Sequence, residues 1–392
     1  MIYSIPNGRP LHPPLALYIH IPWCAHKCPY CDFNSHANRD ALPETAYVST
    51  LLRDLEQDLS GLDPIHPLIS IFIGGGTPSL FSGGAIDRLL RGVRGLVELD
   101  PEAEITLEAN PGTIDASNFA AYREAGVNRL SIGAQSLSAH HLELLGRIHG
   151  PAEVVSAVRQ ARSAGFTNLN LDLMYGLPEQ NLAQARADLE QGLALEPEHV
   201  SYYQLTLEPN TAFHLSPPPI PGDDLATDMH LQGLEVLADE GFAQYEISAY
   251  ARRGRRCIHN LNYWTFGDYL GIGAGAHAKL TYGPARRIER YAKQRHPGTY
   301  LDPAKHSHLV SDRRDLREPD LVLEFAMNAL RLVGGFEPEL FERHTGLPLA
   351  RIEAIVEQAS VDGLLVSTDG PIRPTELGRF FLNDLLERFD SG

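Results

Sequence analysis

Cysteine is scarce in this 392-residue chain: only Cys24, Cys28, Cys31 and Cys257 occur. A secreted disulfide framework would be denser and spread along the chain, so that class is excluded. Positive charge is also short. Lys and Arg number 33 against 50 Asp and Glu, giving a formal net charge of −17. A general nucleic-acid binder needs cationic groups to neutralise phosphates, and this balance argues against one. No run approaches the ~18 apolar residues of a membrane-spanning helix. Met1–Pro14 holds prolines but no charged head followed by an apolar run, so no signal peptide is expected. No internal repeat and no low-complexity tract stands out. These absences lead to the expectation of a cytoplasmic protein.

What is present points to an α/β chain. Apolar residues make up 43%, enough for a sizeable core, and 392 residues exceed one ordinary core. Short apolar runs, read as strands, begin at Leu15, Leu68, Glu104, Arg129, Asn168 and His199. Amphipathic stretches between them read as helices over Pro43–Leu59, Ala85–Leu96, Asp115–Ala125, Ala139–Gly146, Ala152–Ala164 and Leu182–Leu195; another follows over Leu225–Glu240. The alternation implies a parallel sheet with helices outside. Six units are fewer than the eight of a closed barrel, which favours a partial, open (β/α)₆ barrel. Functional groups are then expected at the C-terminal ends of the strands. A Pro-, Arg- and His-rich segment, Gly283–Arg317, reads as a linker between a core over 1–282 and a domain over 318–392. That domain reads as helices over Pro319–Leu332, Pro338–His344 and Leu349–Asp362, a hairpin turning at Asp369-Gly370, and a last helix over Glu376–Phe389. The pattern is winged-helix-like, but its acidic composition lacks a basic recognition helix.

Cys24, Cys28 and Cys31 follow directly on the first apolar strand. Clustered thiolates bind soft metals. One occupant is zinc, with His20, His26 or His36 as the fourth ligand. The other is a [4Fe–4S] cluster with one iron left without a protein ligand. The x3, x2 spacing favours the cluster.

The segment Tyr18 to Phe33, with its three cysteines, resembles the radical S-adenosylmethionine (SAM) superfamily and, within it, the oxygen-independent coproporphyrinogen III oxidase (HemN-like) family. Matching motifs recur in order over nearly the whole chain. The resemblance implies a [4Fe–4S] cluster on Cys24, Cys28 and Cys31, with SAM chelating the open iron. It implies that Gly75, Gly76 and Thr77, in the run Gly74–Pro78, meet the SAM amino group. Glu108, Gln135, Arg147 and Asp172 match the family's SAM-binding set; acids suit ribose hydroxyls and Arg147 suits a carboxylate. Tyr18 matches a tyrosine near the methionine moiety, and Tyr30 a main-chain contact to adenine. Gly271, Gly273 and Gly275 could suggest a dinucleotide loop, but no βαβ unit surrounds them, so close backbone packing is expected.

Within the family, the decarboxylating oxidase carries a fourth cysteine two positions after the third, where this chain has Phe33, and a longer N-terminal extension. Both departures argue against oxidative decarboxylation of coproporphyrinogen III, which stays as the alternative. His259-Asn260-Leu261-Asn262-Tyr263-Trp264 resembles the HNxxYW motif of the heme chaperone (HemW) branch. That resemblance implies heme as a further ligand, with His259 in contact with it. Arg252, Arg253, Arg255 and Arg256 lie just upstream and suit propionates; Cys257 is a second candidate ligand, though a lone buried cysteine is commoner. The implied partners are heme-acceptor proteins and an electron donor for the cluster. Membrane contact is expected only through acceptors, and a homodimer is compatible with the reading.

Overall fold

The computed structural model of the chain describes residues 12–37, 40–113, 116–283, 286–367 and 370–390. Its first strand, β1 (Leu15–Ile21), shows how the core is built. Leu15, Leu17, Ile19 and Ile21 pack with Val48, Leu51 and Leu55 of the helix Glu44–Leu59. Strand alternation turns Ala16, Tyr18 and His20 to the opposite, inner face. The same scheme repeats in β2 (Leu68–Gly75), β3 (Leu99–Ala109), β4 (Arg129–Gln135), β5 (Leu169–Tyr175) and β6 (His199–Gln204). Each pairs in parallel with the next, and helices cross over between them. The helix expected to begin at Asp115 runs over Ala116–Ala125; Asp115 itself lies outside the described residues.

The sheet continues beyond these units on both sides. β7 (Ala243–Glu246) and β8 (Ala249–Ala251) form an antiparallel pair, and β8 lies antiparallel to β6. β9 (Asp268–Ile272) lies parallel to β1 on its free side. β10 (His277–Tyr282), β11 (Arg287–Lys293) and β12 (Val310–Asp315) then extend it as an antiparallel meander. The 12-stranded order is β12-β11-β10-β9-β1-β2-β3-β4-β5-β6-β8-β7, so the barrel stays open.

Two expectations are corrected here. The segment 283–317 is not a plain linker, because β11 and β12 belong to the main sheet. Charge hid β11: Glu289 and Lys293 are both 1% exposed, so one buried face carries ions beside Tyr291, while Ile288 on the other face packs into the C-terminal core. The last helix, expected over Glu376–Phe389, is two helices, Glu376–Phe380 and Leu382–Glu387. Phe381, at φ −105° and ψ 43°, breaks it, and Leu385 and Phe389 beyond the break are buried in the C-terminal core.

That core is separate from the main one. Helices Glu318–Ala329, Pro338–Thr345 and Glu353–Val361 enclose it with the two-stranded ribbon Leu365–Val366 and Arg373–Pro374. Asp369, in the expected hairpin turn, lies outside the described residues. Phe325 anchors the core, with ring centroids 4.9 Å from Phe336 and 5.1 Å from Phe341. Among the described residues no helix is long and apolar enough to cross a membrane.

Candidate cofactor site

The strands deliver their functional groups at one end. Past β1 the chain turns through Cys24, Cys28 and Cys31, all free thiols. Lys27 Nζ donates to the carbonyls of Phe33 (3.3 Å) and Ser35 (3.2 Å), which folds the loop back on itself. Asn34 Nδ2 anchors it to the carbonyls of Ala274 and Arg295, both at 2.9 Å. The glycine-rich end of β2 zips against the start of the loop: the N–H groups of Gly76 and Thr77 donate to the carbonyls of Ile21 and Trp23, both at 2.7 Å. A Cβ on Gly76 would lie 2.6 Å from the Trp23 oxygen, so only glycine fits.

A cavity of about 450 Å³ opens above these strand ends. Cys24, Cys28, Cys31, Tyr30, Gly75, Gly76, Thr77, Glu108, Gln135, Arg147 and Asp172 all line it. Arg147 bonds to the Gly133 carbonyl at 2.9 Å and points to Cys28 Sγ at 3.6 Å, while its buried Nε has no partner among the described residues. Asp172 accepts from Ser131 Oγ (3.2 Å) and Asn170 Nδ2 (2.7 Å). Burial, and then the Asp172 charge, push the Glu108 carboxyl up to about 8. Gln135 takes a left-handed backbone at φ 67° and accepts a bond from Tyr203 O–H at 2.8 Å. A non-glycine residue held there is strained, as residues at binding sites often are.

Two expected residues stand apart. Tyr18 and His259 do not line this cavity but lie deeper in the inner face of the sheet, their ring centroids 6.3 Å apart. His259 is 8% exposed, and its Nδ1 sits 3.1 Å from Ser70 Oγ. Burial, and then the Arg129 charge, lower its pKa to about 3, so the ring is neutral. Cys257 is buried with its Sγ 3.3 Å from Glu104 Oε1. Tyr203, Ser131, Ser201 and Met174 also line the cavity, and sequence reasoning missed them. The period-two alternation along β4, β5 and β6 that carries Gln135 and Asp172 inward would have found them. The 271–275 glycines do serve close packing: a Cβ on Gly273 would lie 2.4 Å from the His20 carbonyl oxygen.

The donor set fits an iron–sulfur cluster. Burial pushes the Cys24 and Cys31 thiols up, a cost to ionised sulfur that a bound cluster's iron would offset. His20 is engaged with Tyr18 and Asn34.

Known proteins share this chain's sequence and fold. The Radical SAM superfamily pattern matches residues 18–191, and the HemN C-terminal domain matches residues 316–381. The solved structure of coproporphyrinogen III oxidase (HemN) from Escherichia coli superposes with a TM-score of 0.81 over 98% of this chain and 92% of that one, at 22% identity, a likeness of fold. The fold is that of a radical SAM protein, a class that works with SAM and a [4Fe–4S] cluster. The heme chaperone HemW of Escherichia coli (strain K12) is 49% identical over 96% of this chain and 98% of its own length. That of Bacillus subtilis (strain 168) is 31% identical over 95% and 98%. The chain belongs to the HemW family of radical SAM proteins.

Proposed function

We propose that this chain binds heme and passes it to acceptor proteins, and that its cavity holds a [4Fe–4S] cluster and SAM. The observation that carries this reading is the 49% identity, along almost the entire length, to a protein named as a heme chaperone. Phe33 supports it: 59% exposed at the cavity, it stands where the decarboxylating oxidase has a further thiol.

In this reading Cys24, Cys28 and Cys31 ligate three irons. When bound, the cluster supplies a low-potential electron, delivered by an external donor. Arg147, held by the Gly133 carbonyl, presents its guanidinium to the SAM carboxylate. The main chain of Gly75–Thr77 meets the amino group, and that of Tyr30 meets the adenine. Glu108, Asp172 and Gln135 address the ribose end, with Ser131 and Asn170 fixing the Asp172 rotamer.

The test is paired. Anaerobically reconstituted protein is titrated with heme, and is separately incubated with coproporphyrinogen III, SAM and reductant. Heme binding without decarboxylation is expected. Robust conversion of coproporphyrinogen III would remove the chaperone assignment in favour of the oxidase.

A further inference from the structure

The seven-residue helix Ile258–Trp264 carries the HNxxYW segment and packs against the inner face of the sheet at β1 and β2. Its first amides are held by Glu104 Oε1, 3.0 Å from the N–H of Ile258. From there a column of side chains leads to the cluster loop. His259 is fixed to Ser70, and its ring centroid lies 5.1 Å from that of Phe72. Phe72 stacks on Tyr18 at 6.3 Å. Tyr18 O–H lies 3.0 Å from His20 Nδ1, and His20 Nε2 lies 2.9 Å from the Asn34 carbonyl oxygen.

The direction of these bonds follows from their chemistry. The Asn34 carbonyl only accepts, so Nε2 of His20 carries the proton. Nδ1 then accepts from Tyr18. His20 is also wedged beneath the glycine-rich turn, where a Cβ on Gly75 would lie 2.5 Å from its Cε1. Any tilt of Tyr18 is therefore passed to the loop between Cys31 and Asn34 and to the turn beside the SAM position. The other end of the helix belongs to the C-terminal domain. The Arg331 guanidinium lies 4.4 Å over the Trp264 ring, His344 Nδ1 donates to the Thr265 carbonyl at 2.6 Å, and Phe266 is buried in the C-terminal core.

We propose that His259 is a positioning residue for the cluster loop, acting through Phe72, Tyr18 and His20, and that its helix seats the C-terminal domain against that column. The inference rests on the reading of Cys24, Cys28 and Cys31 as cluster ligands. It gives the HNxxYW segment an internal role in place of axial heme ligation. A buried imidazole already bonded to Ser70 reaches a heme iron only if its helix leaves the sheet.

The experiment uses full-length, anaerobically reconstituted protein. Iron and sulfide content, the electron paramagnetic resonance spectrum of the reduced cluster with and without SAM, SAM affinity and heme affinity are read on each variant. His259→Ala, Ser70→Ala and Tyr18→Phe are compared with wild type. All three should alter the SAM-dependent spectral shift and weaken SAM binding roughly 2–10-fold, the range for one lost hydrogen bond. Heme affinity should stay within about twofold of wild type, on the same scale. His259→Asn, whose amide can still reach Ser70, should restore part of the spectral shift. If His259→Ala does not fold, Ser70→Ala and Tyr18→Phe carry the test, since both leave His259 in place. Loss of heme binding in His259→Ala, with cluster spectrum and SAM affinity as in wild type, would overturn the proposal. Absence of a cluster from the wild type would overturn it too, and marks failure of the underlying cofactor reading instead.

Discussion

The main-chain N–H of Gly75 donates to Oε2 of Glu108 at 3.0 Å, tying the glycine-rich end of β2 to the end of β3. The bond brings an acid into the cavity beside a second one. Burial and the neighbouring Asp172 hold the Glu108 pKa up near 8.

A pH dependence follows. Between the ordinary carboxylate range and about 8 the folded chain holds a proton that the unfolded chain has lost. Stability from this group is thus full at low pH and falls as pH rises through its folded pKa. Glu108→Gln keeps an acceptor for the Gly75 N–H and removes the titration. Without SAM, the variant should exceed wild type in stability by roughly 1–3 kcal/mol at pH 8.5, with the gap closing toward pH 5. Thermal unfolding at both pH values measures it. An equal gap at the two pH values would show that Glu108 titrates normally.

Arg147 and Asp172 should separate SAM binding from cluster binding. Neither supplies a proposed iron ligand, yet both line the cavity with the cysteines. Replacing either by Ala removes charge-assisted hydrogen bonds, and SAM affinity should drop roughly 10–100-fold. Iron and sulfide should stay at wild-type levels. Calorimetric titration of reconstituted protein reads the first quantity and chemical analysis the second; unchanged SAM affinity in both variants would remove these residues from the site.

The cysteines make the sharper contrast. Cys28→Ala leaves two thiolates at the cavity, too few for a stable cluster, and iron and sulfide should fall well below about four of each per chain. Cys257→Ala should leave both unchanged. Its sulfur is buried against Glu104 and is absent from the cavity lining. Zinc without sulfide in anaerobic wild-type protein would replace the cluster by a single-ion site.

Much of this site was legible because parallel strands put chemistry at their C-terminal ends. Glu108, Gln135 and Asp172 lie on apolar β3, β4 and β5 and reach one cavity. What stayed hidden depends on contacts between distant segments. Tyr18 shares the inner face of β1 with Ala16 and His20, and nothing local says that it bonds to His20 and stays out of the cavity. His259 reads as a free ligand until Ser70, 189 residues away in sequence, is found against it. β11 escaped notice because its inward positions include Glu289 and Lys293, which hydropathy alone assigns to solvent.

Lys293 carries the last prediction. Its Nζ lies 2.6 Å from Asp54 Oδ1 and 2.8 Å from Asp58 Oδ1, with the Lys293 and Asp54 side chains at 1% and 0% exposure. Asp54 also accepts from Tyr300 O–H at 2.6 Å and from the N–H of Gly273 at 3.3 Å. The cluster of ions therefore fixes the 273–274 turn, to which Asn34 of the cluster loop is bound. Lys293→Met leaves two buried carboxylates without their cation, a change that costs about 3–5 kcal/mol. The variant should unfold at clearly lower temperature and take up less iron on reconstitution, although no ligand is touched. Adding Asp54→Asn and Asp58→Asn removes the stranded charges and keeps acceptors for Tyr300 and Gly273. The triple variant should recover a large part of the lost stability. A single Lys293→Met variant as stable as wild type would mean that this buried triad contributes no net stability and that the 273–274 turn is held by packing alone.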